Sequence, residues 1–191
     1  MENIAFIGLG IMGVPMCLNL LKAGYPVNTY TRSHTHPSIP EAGAHLCDSP
    51  RAAAEKADII ILIVNDTPNV EQVLFGENGV IEANLQGKVI VDMSTISPVA
   101  TKTFAQRIQA AGADYLDAPV SGGDVCAQAG TLSIMVGGSE SAFQRVLPLF
   151  QVMGKNITHV GDVGAGQITK MANQVIVAQS IQAVAEALVL A

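Results

Sequence analysis

The chain has 191 residues, of which 49% are hydrophobic, 14% are charged and 18 are glycines. This composition is typical of an α/β domain with buried strands and excludes an intrinsically disordered chain. The formal net charge of −6 argues against a binding surface for nucleic acids or for anionic membranes, because such surfaces are basic.

The first segment of the chain has two interpretations. Residues 4–21 carry no charge, as would a signal peptide or a membrane span. However, no lysine or arginine precedes them, and glycines and a proline interrupt the run. We therefore interpret residues 3–7 as a buried strand, followed by a helix from about Ile11 that ends at Gly24. Three cysteines without metal-ligand spacing predict a cytoplasmic protein with reduced thiols and no metal site.

Apolar runs of strand length then alternate with helix-like segments. Residues 57–64, ADIIILIV, form a continuous apolar run rich in isoleucine, which is typical of a strand covered on both faces. Ser49 and Pro50 supply a cap and a first-turn proline for a short alanine-rich helix. Further strands are predicted at residues 26–30, 88–93, 113–119, 131–138 and 156–160, and further helices at residues 98–111 and 141–153. This alternation predicts an α/β fold with a Rossmann-like, doubly wound and mainly parallel sheet.

The last segment has a different character. After Gly166 it contains neither glycine nor proline, and its composition predicts one apolar helix of about 26 residues, or roughly 39 Å. An apolar helix without a terminal cap needs a partner surface. We therefore expect residues 1–162 to form the Rossmann-like domain. Residues 163–191 are expected to begin an interdomain helix and a C-terminal helical domain, which this sequence holds only in part.

Three glycines follow the first strand in the spacing G-x-G-x-x-G. The first, Gly8, permits a tight turn; the second, Gly10, lets a pyrophosphate approach the backbone; the third, Gly13, lets the helix pack on the strand. The helix N-terminus adds amide donors and the positive end of its dipole. The alternative is a glycine-rich turn without a ligand. The motif predicts a dinucleotide site formed by Gly8, Leu9, Gly10, Ile11, Met12 and Gly13.

The end of the second strand indicates which dinucleotide binds. NAD-dependent proteins usually have an acid there for the ribose 2′-hydroxyl, whereas this chain has Thr31, Arg32 and Ser33. Arginine pairs with a 2′-phosphate, and the two hydroxyls can donate hydrogen bonds to it. The sequence therefore predicts NADP(H) as the preferred cofactor and NAD(H) as the second choice, unless Arg32 is only a solvated loop residue.

Two further strands end in short polar turns. The stretch DAPVSGG, residues 117–123, exposes backbone amides and the Ser121 hydroxyl. Such a turn can hold a carboxylate, although it could equally be an ordinary loop. The stretch DMSTISP, residues 92–98, places Ser94 and Thr95 near the expected cofactor cleft.

Lys170 is the only charged residue between Val163 and Ala185. It shares one helical face with Asn173 and Gln174, which follow at i+3 and i+4. A lone lysine in such a helix is usually a surface residue. The alternative is a catalytic acid, because an ammonium group stabilises the negative charge on a carbonyl oxygen and supplies its proton.

Four stretches in order, FIGLGIMGVPMCLNLLKAG, DMSTISP, DAPVSGGDVCAQAGTLSIMVGG and GAGQITKMANQ, resemble the β-hydroxyacid dehydrogenases. The resemblance spans nearly the whole chain. It implies a Rossmann-like domain followed by an all-α domain that completes the active site, usually in a dimer or tetramer. Cys126 departs from the small residue that is common in the turn after SGG, and it is either a packed cysteine or a reactive thiol.

The resemblance also implies roles for particular residues. Lys170 would be the catalytic lysine, and Thr95 would lie beside the nicotinamide. Asn65 and Asp66, after the strand ILIV, would touch the cofactor. The substrate would be held by Ser121, Gly122, Gly123 and Asn173, with Thr95 contributing.

The function implied by the resemblance is NADPH-dependent reduction of a short 3-oxo acid, tartronate semialdehyde to glycerate, with Lys170 as general acid. Related activities are 3-hydroxyisobutyrate dehydrogenation and the reduction of glyoxylate or succinic semialdehyde. Imine-reducing relatives usually lack lysine at this position, so Lys170 disfavours that chemistry. A hypothesis of another class is a dinucleotide-binding module without turnover. The expected partners are a small carboxylate semialdehyde and further copies of the chain, with neither nucleic acid nor membrane.

Overall fold

The computed structural model describes residues 1–32 and 35–191, in which nine strands alternate with eight helices. The strands are β1 (Ile4–Ile7), β2 (Val27–Tyr30), β3 (His45–Leu46), β4 (Ile59–Leu62), β5 (Val89–Asp92), β6 (Asp114–Asp117), β7 (Val120–Ser121), β8 (Leu132–Gly137) and β9 (Gly154–Gly161). The helices are α1 (Gly13–Lys22), α2 (Ser38–Glu41), α3 (Pro50–Glu55), α4 (Thr67–Phe75), α5 (Pro98–Ala110), α6 (Gly123–Ala129), α7 (Glu140–Met153) and α8 (Ala165–Leu190), with a 3-10 turn at Val80–Glu82.

The strands form one sheet in the order β3-β2-β1-β4-β5-β6-β8-β7, and β9 pairs with β8. The first six strands in this order are parallel, whereas β8 runs antiparallel to β6 and β7 and parallel to β9. The strand order reverses between β1 and β4, and ligands of doubly wound sheets bind beyond the carboxyl ends of the strands at such a point. The predicted Rossmann-like, mainly parallel fold is confirmed.

The sequence of β4 shows why the sheet is covered on both faces. Its four residues are completely buried. Ile59 and Ile61 belong to one hydrophobic cluster, while Ile60 and Leu62 belong to the other. Successive side chains of a strand point to opposite faces, so an unbroken apolar run is needed when helices cover both.

Several short elements were not anticipated from the sequence. Strand β3 and helix α2 have two and four residues, which is too short for a periodic apolar pattern to emerge. Helix α4 was also missed, although Asp66 caps it by accepting a hydrogen bond from the amide of Asn69 at 3.1 Å.

The segment after SGG is helical, so its assignment to a turn was wrong. Residues 123–129 form α6, which ends at Gly130 in the left-handed conformation (φ 65°). Glycine is favoured there because it has no Cβ to clash. Cys126 therefore lies on a helix, half-buried, where a Cβ added to Gly122 would approach its Cβ within 2.6 Å. Cys126 packs against the hydrophobic core, which supports the interpretation of a packed cysteine over that of a reactive thiol.

Helix α8 has the 26 residues expected from the sequence. Only Gly166, Gln167 and Lys170 are buried along it, and they lie where the helix begins on the sheet. Its length and apolar composition would also suffice for a membrane span, but these two properties do not distinguish a span from a helix that packs inside a protein. The apolar run at residues 4–21, in contrast, does not form one long helix. It is divided between the buried strand β1 and the helix α1.

Candidate active site

The glycine motif forms a tight turn between β1 and α1. The backbone of Gly8 has φ of +100°, and its amide donates a hydrogen bond to the carbonyl of Tyr30 at 3.0 Å. A Cβ at Gly8 would come within 2.1 Å of the Ile63 carbonyl oxygen, and one at Gly13 within 1.9 Å of the Gly8 oxygen. A Cβ at Gly10 would meet no atom of the described residues within 4 Å. The first and third glycines thus permit close packing, while the second leaves room above the backbone.

A cavity of about 380 Å³ lies beyond the carboxyl ends of β1, β2 and β4. The predicted cofactor residues that line it are Gly8, Leu9, Gly10, Thr31, Arg32 and Asn65. Its position is the switch point at which doubly wound sheets bind dinucleotides. Ser33, predicted beside Arg32, lies outside the described residues.

Five of the described residues predicted to bind the cofactor do not line this cavity: Thr95, discussed below, and four that lie next to lining residues in sequence. Ile11 is 81% exposed, Met12 packs against the core, and Gly13 is buried at the start of α1. The carboxylate of Asp66 caps α4, where the side-chain amide of Asn69 also donates to it. The cap of α4 therefore accounts for an aspartate at residue 66, without a contact to the cofactor.

Glu77 also lines the cavity, and the sequence did not reveal it. From the sequence, the absence of an acid just after β2 favours NADP(H). However, Glu77 follows α4, more than forty residues later in the chain, and tertiary structure brings it to the same cavity as Arg32. Among the described residues, the lining of the cavity therefore contains one cationic and one anionic side chain.

The loop after β5 carries Thr95, which is exposed and does not line the cavity, between two buried neighbours, Ser94 and Ile96. At the base of the loop, the buried Asp92 carboxylate accepts hydrogen bonds from the Ser94 amide and the Tyr115 hydroxyl, both at 2.9 Å. Burial raises the pKa of Asp92 to about 6, although these hydrogen bonds oppose the shift. The Ser94 hydroxyl in turn accepts from the amide of Val64 at 3.0 Å.

The predicted substrate residues come together from distant parts of the chain. The side-chain amide of Asn173 donates to the Ser121 hydroxyl at 3.3 Å across 52 residues of sequence. Gly122 and Gly123 follow Ser121 with φ of 133° and 70°, a backbone conformation that other residues rarely adopt. A Cβ at Gly123 would meet no atom of residues 1–32 and 35–191 within 4 Å, so the turn is open on that side.

Lys170 lies one helical turn before Asn173 and is only 8% exposed. Burial lowers the pKa of its ammonium group. Within residues 1–32 and 35–191, no carboxylate lies within ion-pair distance of it. The interpretation of Lys170 as a solvated surface lysine is therefore wrong.

Two buried residues of this region were missed from the sequence. The Asp117 carboxylate accepts hydrogen bonds from the backbone amides of Gly164 at 2.7 Å and Gln167 at 2.9 Å, and so caps α8. Burial raises the pKa of Asp117, against the effect of these amides. The Gln167 side chain bonds to the backbone of Ser94 and Ile96. An acid at the end of an apolar strand is a signal that could have identified Asp117, whereas nothing local distinguishes Gln167.

The switch-point cavity and the glycine turn define a dinucleotide-binding domain of the Rossmann type. Residues 3–161 match the family described as the NAD binding domain of 6-phosphogluconate dehydrogenase. The chain therefore belongs to the β-hydroxyacid dehydrogenase family, and the matched residues are the NAD(P)-binding domain of that family.

Known relatives agree with this assignment. The chain is 55% identical over 189 residues to 2-hydroxy-3-oxopropionate reductase of Escherichia coli (strain K12), covering 99% of this chain and 65% of the relative. The structure of Mycobacterium tuberculosis 3-hydroxyisobutyrate dehydrogenase with L-serine superposes with a TM-score of 0.93 at 37% identity, over 100% of this chain and 65% of that one. An imine reductase from Myxococcus stipitatus in complex with NADP+ gives 0.88 at 26% identity, over 97% and 64%. The chain thus spans somewhat less than two thirds of these proteins.

Proposed function

We propose that this chain forms the cofactor-binding part of an NADPH-dependent reductase of short 3-oxo acids, with tartronate semialdehyde as substrate and glycerate as product. The observation that carries the proposal is the buried ammonium of Lys170, which has no ion-pair partner among the described residues and lies one turn from Asn173, the residue that contacts Ser121. The 55% identity to an enzyme named for 2-hydroxy-3-oxopropionate supports this choice of substrate.

The chain's residues fit a dinucleotide. The Gly10 backbone is open toward solvent, and the cavity lies at the switch point of the sheet. When bound, NADPH would supply the hydride that adds to the aldehyde carbon. Arg32 in the cavity lining supports a 2′-phosphate as its ligand, whereas Glu77 would repel that group if the two came close. We propose NADP(H) as the preferred cofactor because Arg32 is the second residue after β2. The residues just after this strand usually determine whether such a domain binds NAD or NADP.

Lys170 would donate a proton to the carbonyl oxygen as negative charge develops there. A lysine whose pKa is lowered by burial transfers a proton more readily near neutral pH than a solvated one does. Ser121 and the backbone of Gly122 and Gly123 would hold the substrate carboxylate, with Asn173 orienting the Ser121 hydroxyl. Thr95, exposed on the loop after β5, would contribute on the nicotinamide side.

The exposed apolar residues of α8 support a division of the chain after residue 162. From Val175 onward every residue of α8 is exposed, including Ile181 and Val184. Such a surface is normally covered by protein. We propose that residues 163–191 pack against a helical domain that completes the substrate site.

A second candidate function is oxidation of a 3-hydroxy acid such as 3-hydroxyisobutyrate or L-serine. It is favoured by the structural match at a TM-score of 0.93 to a 3-hydroxyisobutyrate dehydrogenase solved with L-serine. The same lysine would then accept the proton from the substrate hydroxyl.

The test is a steady-state assay of the full-length protein that carries this chain. We expect NADPH oxidation with tartronate semialdehyde to give a higher kcat/KM than NADP+ or NAD+ reduction with 3-hydroxyisobutyrate or L-serine. The opposite ranking would select the second candidate. Tight NADPH binding without turnover on any of these compounds would instead identify a dinucleotide-binding module.

A further inference from the structure

The first turn of α8 contains a buried glutamine that forms two side-chain hydrogen bonds to a single loop. Gln167 is completely buried. Its Nε2 donates to the Ser94 carbonyl at 2.8 Å, and its Oε1 accepts from the Ile96 amide at 3.1 Å. These two backbone groups flank Thr95, so one amide side chain holds the loop on both sides of that residue.

The backbone of Gln167 is held from the opposite direction. Its amide donates a hydrogen bond at 2.9 Å to the carboxylate of Asp117, the last residue of β6. Gly137 and Gly166 permit this close approach: a Cβ at Gly137 would come within 2.6 Å of the Asp117 carboxylate, and one at Gly166 within 2.5 Å of the Met135 carbonyl oxygen. Gln167 therefore links the ends of β5 and β6 to the start of α8.

This link extends in both directions along the site. Lys170 lies three residues after Gln167, on the same helical face, and both are buried while most of α8 is exposed. On the other side, the Ser94 hydroxyl accepts from the amide of Val64 at 3.0 Å, and Val64 lines the switch-point cavity. Two hydrogen bonds, one to the carbonyl and one to the hydroxyl of Ser94, thus connect the helix of Lys170 through this residue to the wall of the cavity.

We propose that Gln167 is a positioning residue, which fixes the Lys170 ammonium relative to the cofactor cavity by holding α8 to the loop at residues 94–96. The inference rests on the proposed reductase function, since it assigns Gln167 a role in that reaction. Proton transfer depends steeply on geometry, and a misplacement of about 1 Å can reduce a rate by about a hundredfold. Within the described residues, α8 packs on the sheet mainly through its first turns. Loss of the Gln167 hydrogen bonds would therefore allow Lys170 to shift relative to the cavity.

The test is Gln167→Met in the full-length protein. Methionine has a similar length and is apolar, so it retains packing but forms neither hydrogen bond. We expect kcat for semialdehyde reduction, per NADPH-binding site, to fall by about 10- to 100-fold. The Kd for NADPH, from fluorescence titration, is expected to stay within about twofold. The matched control is Gln106→Met on the exposed face of α5, which should leave both values unchanged.

A kcat per binding site equal to wild type would overturn the positioning role, whatever happens to thermal stability. If Gln167→Met does not bind NADPH, Gln167→Asn tests the same contact. Asparagine keeps the amide but is one methylene shorter, which draws it back from the Ser94 carbonyl and the Ile96 amide, so kcat should fall several-fold with the KM for the semialdehyde within about twofold. An unchanged kcat in that variant would also overturn the proposal. Absence of turnover in the wild type would instead refute the proposed reductase function, together with this inference.

Discussion

The two sides of the site are built from different parts of the protein. The cavity that we assign to the cofactor lies at the glycine turn after β1, where the backbone packs closely because Gly8 and Gly13 have no Cβ. The proposed substrate side depends on side-chain hydrogen bonds across long stretches of sequence: Asn173 bonds to the Ser121 hydroxyl, and Gln167 bonds to the Ser94 carbonyl.

This difference indicates how each side tolerates change. A site made of backbone is sensitive to any added side-chain atom, because its shape depends on close approach. A site made of side chains is sensitive to chemical identity, because hydrogen bonds and proton transfer need particular groups. The following predictions test this contrast, beginning with the largest expected effect.

Lys170→Met should remove proton donation while preserving an apolar side chain of similar length. We expect kcat for semialdehyde reduction to fall by about a thousandfold, in the range usual for a general acid. The Kd for NADPH should change by less than about threefold, because Lys170 does not line the cavity. Lys155→Met, on the exposed edge of β9, is the matched control. Turnover near the wild-type level would refute the role of Lys170.

Gly8→Ala and Gly10→Ala should separate folding from binding within one motif. At Gly8 a Cβ would meet the Ile63 carbonyl at 2.1 Å, so we expect the free energy of unfolding to fall by roughly 3 kcal/mol. At Gly10 there is space, so stability should change by less than about 0.5 kcal/mol while NADPH affinity falls about tenfold. Chemical denaturation and fluorescence titration measure the two effects. Equal stability losses would contradict the backbone account.

Asp92→Asn should alter the pH dependence of stability. Burial raises the pKa of Asp92 from 3.8 to about 6, so the folded state holds a proton that the unfolded state has already released between these values. The stability contributed by this proton is fully present below about pH 4 and is lost as the pH rises through about 6. Relative to wild type, the variant should therefore gain on the order of 3 kcal/mol between about pH 4 and about pH 7.

Denaturant unfolding at the two pH values measures this gain. Asp48→Asn, the same substitution at an exposed position, is the matched control. A constant difference between Asp92→Asn and wild type across the range would show that the carboxyl does not titrate as the structure indicates.

Arg32→Ala should affect one cofactor more than the other. Loss of the guanidinium is expected to raise the KM for NADPH by about tenfold and the KM for NADH by less than about twofold. Glu77→Gln, in the same cavity, is the informative counterpart: removal of its charge should leave the KM for NADPH the same or lower. Equal changes for the two cofactors in Arg32→Ala would show that Arg32 does not select the 2′-phosphate.

Much of the fold was predictable from local patterns. The run ADIIILIV predicted β4, and Pro98 marked the start of α5 at the residue where it begins. The α6 helix was missed because SGG reads as a turn, and the glycines are in fact the turn that precedes a helix. The antiparallel direction of β8 against β6 was not specified either, since apolar alternation does not encode strand direction.

The same limit applies to the site. Gly8, Gly10, Arg32 and Asn65 were predicted from the motif or the family resemblance, and the structure places them in one cavity. Glu77 reaches that cavity from a loop more than forty residues after β2, so no window of sequence around Arg32 could include it.

The sequence by itself determined the elements whose cause is local: the buried strands, the glycine turn and the long apolar helix. Only the tertiary structure decided that Lys170 is buried, that Asp117 caps its helix, and that Gln167 joins this helix to the loop at residues 94–96. The physical reason is the range of the interactions. Backbone conformation depends on neighbouring residues, whereas burial and hydrogen bonds between distant side chains exist only once the sheet has brought the strand ends together.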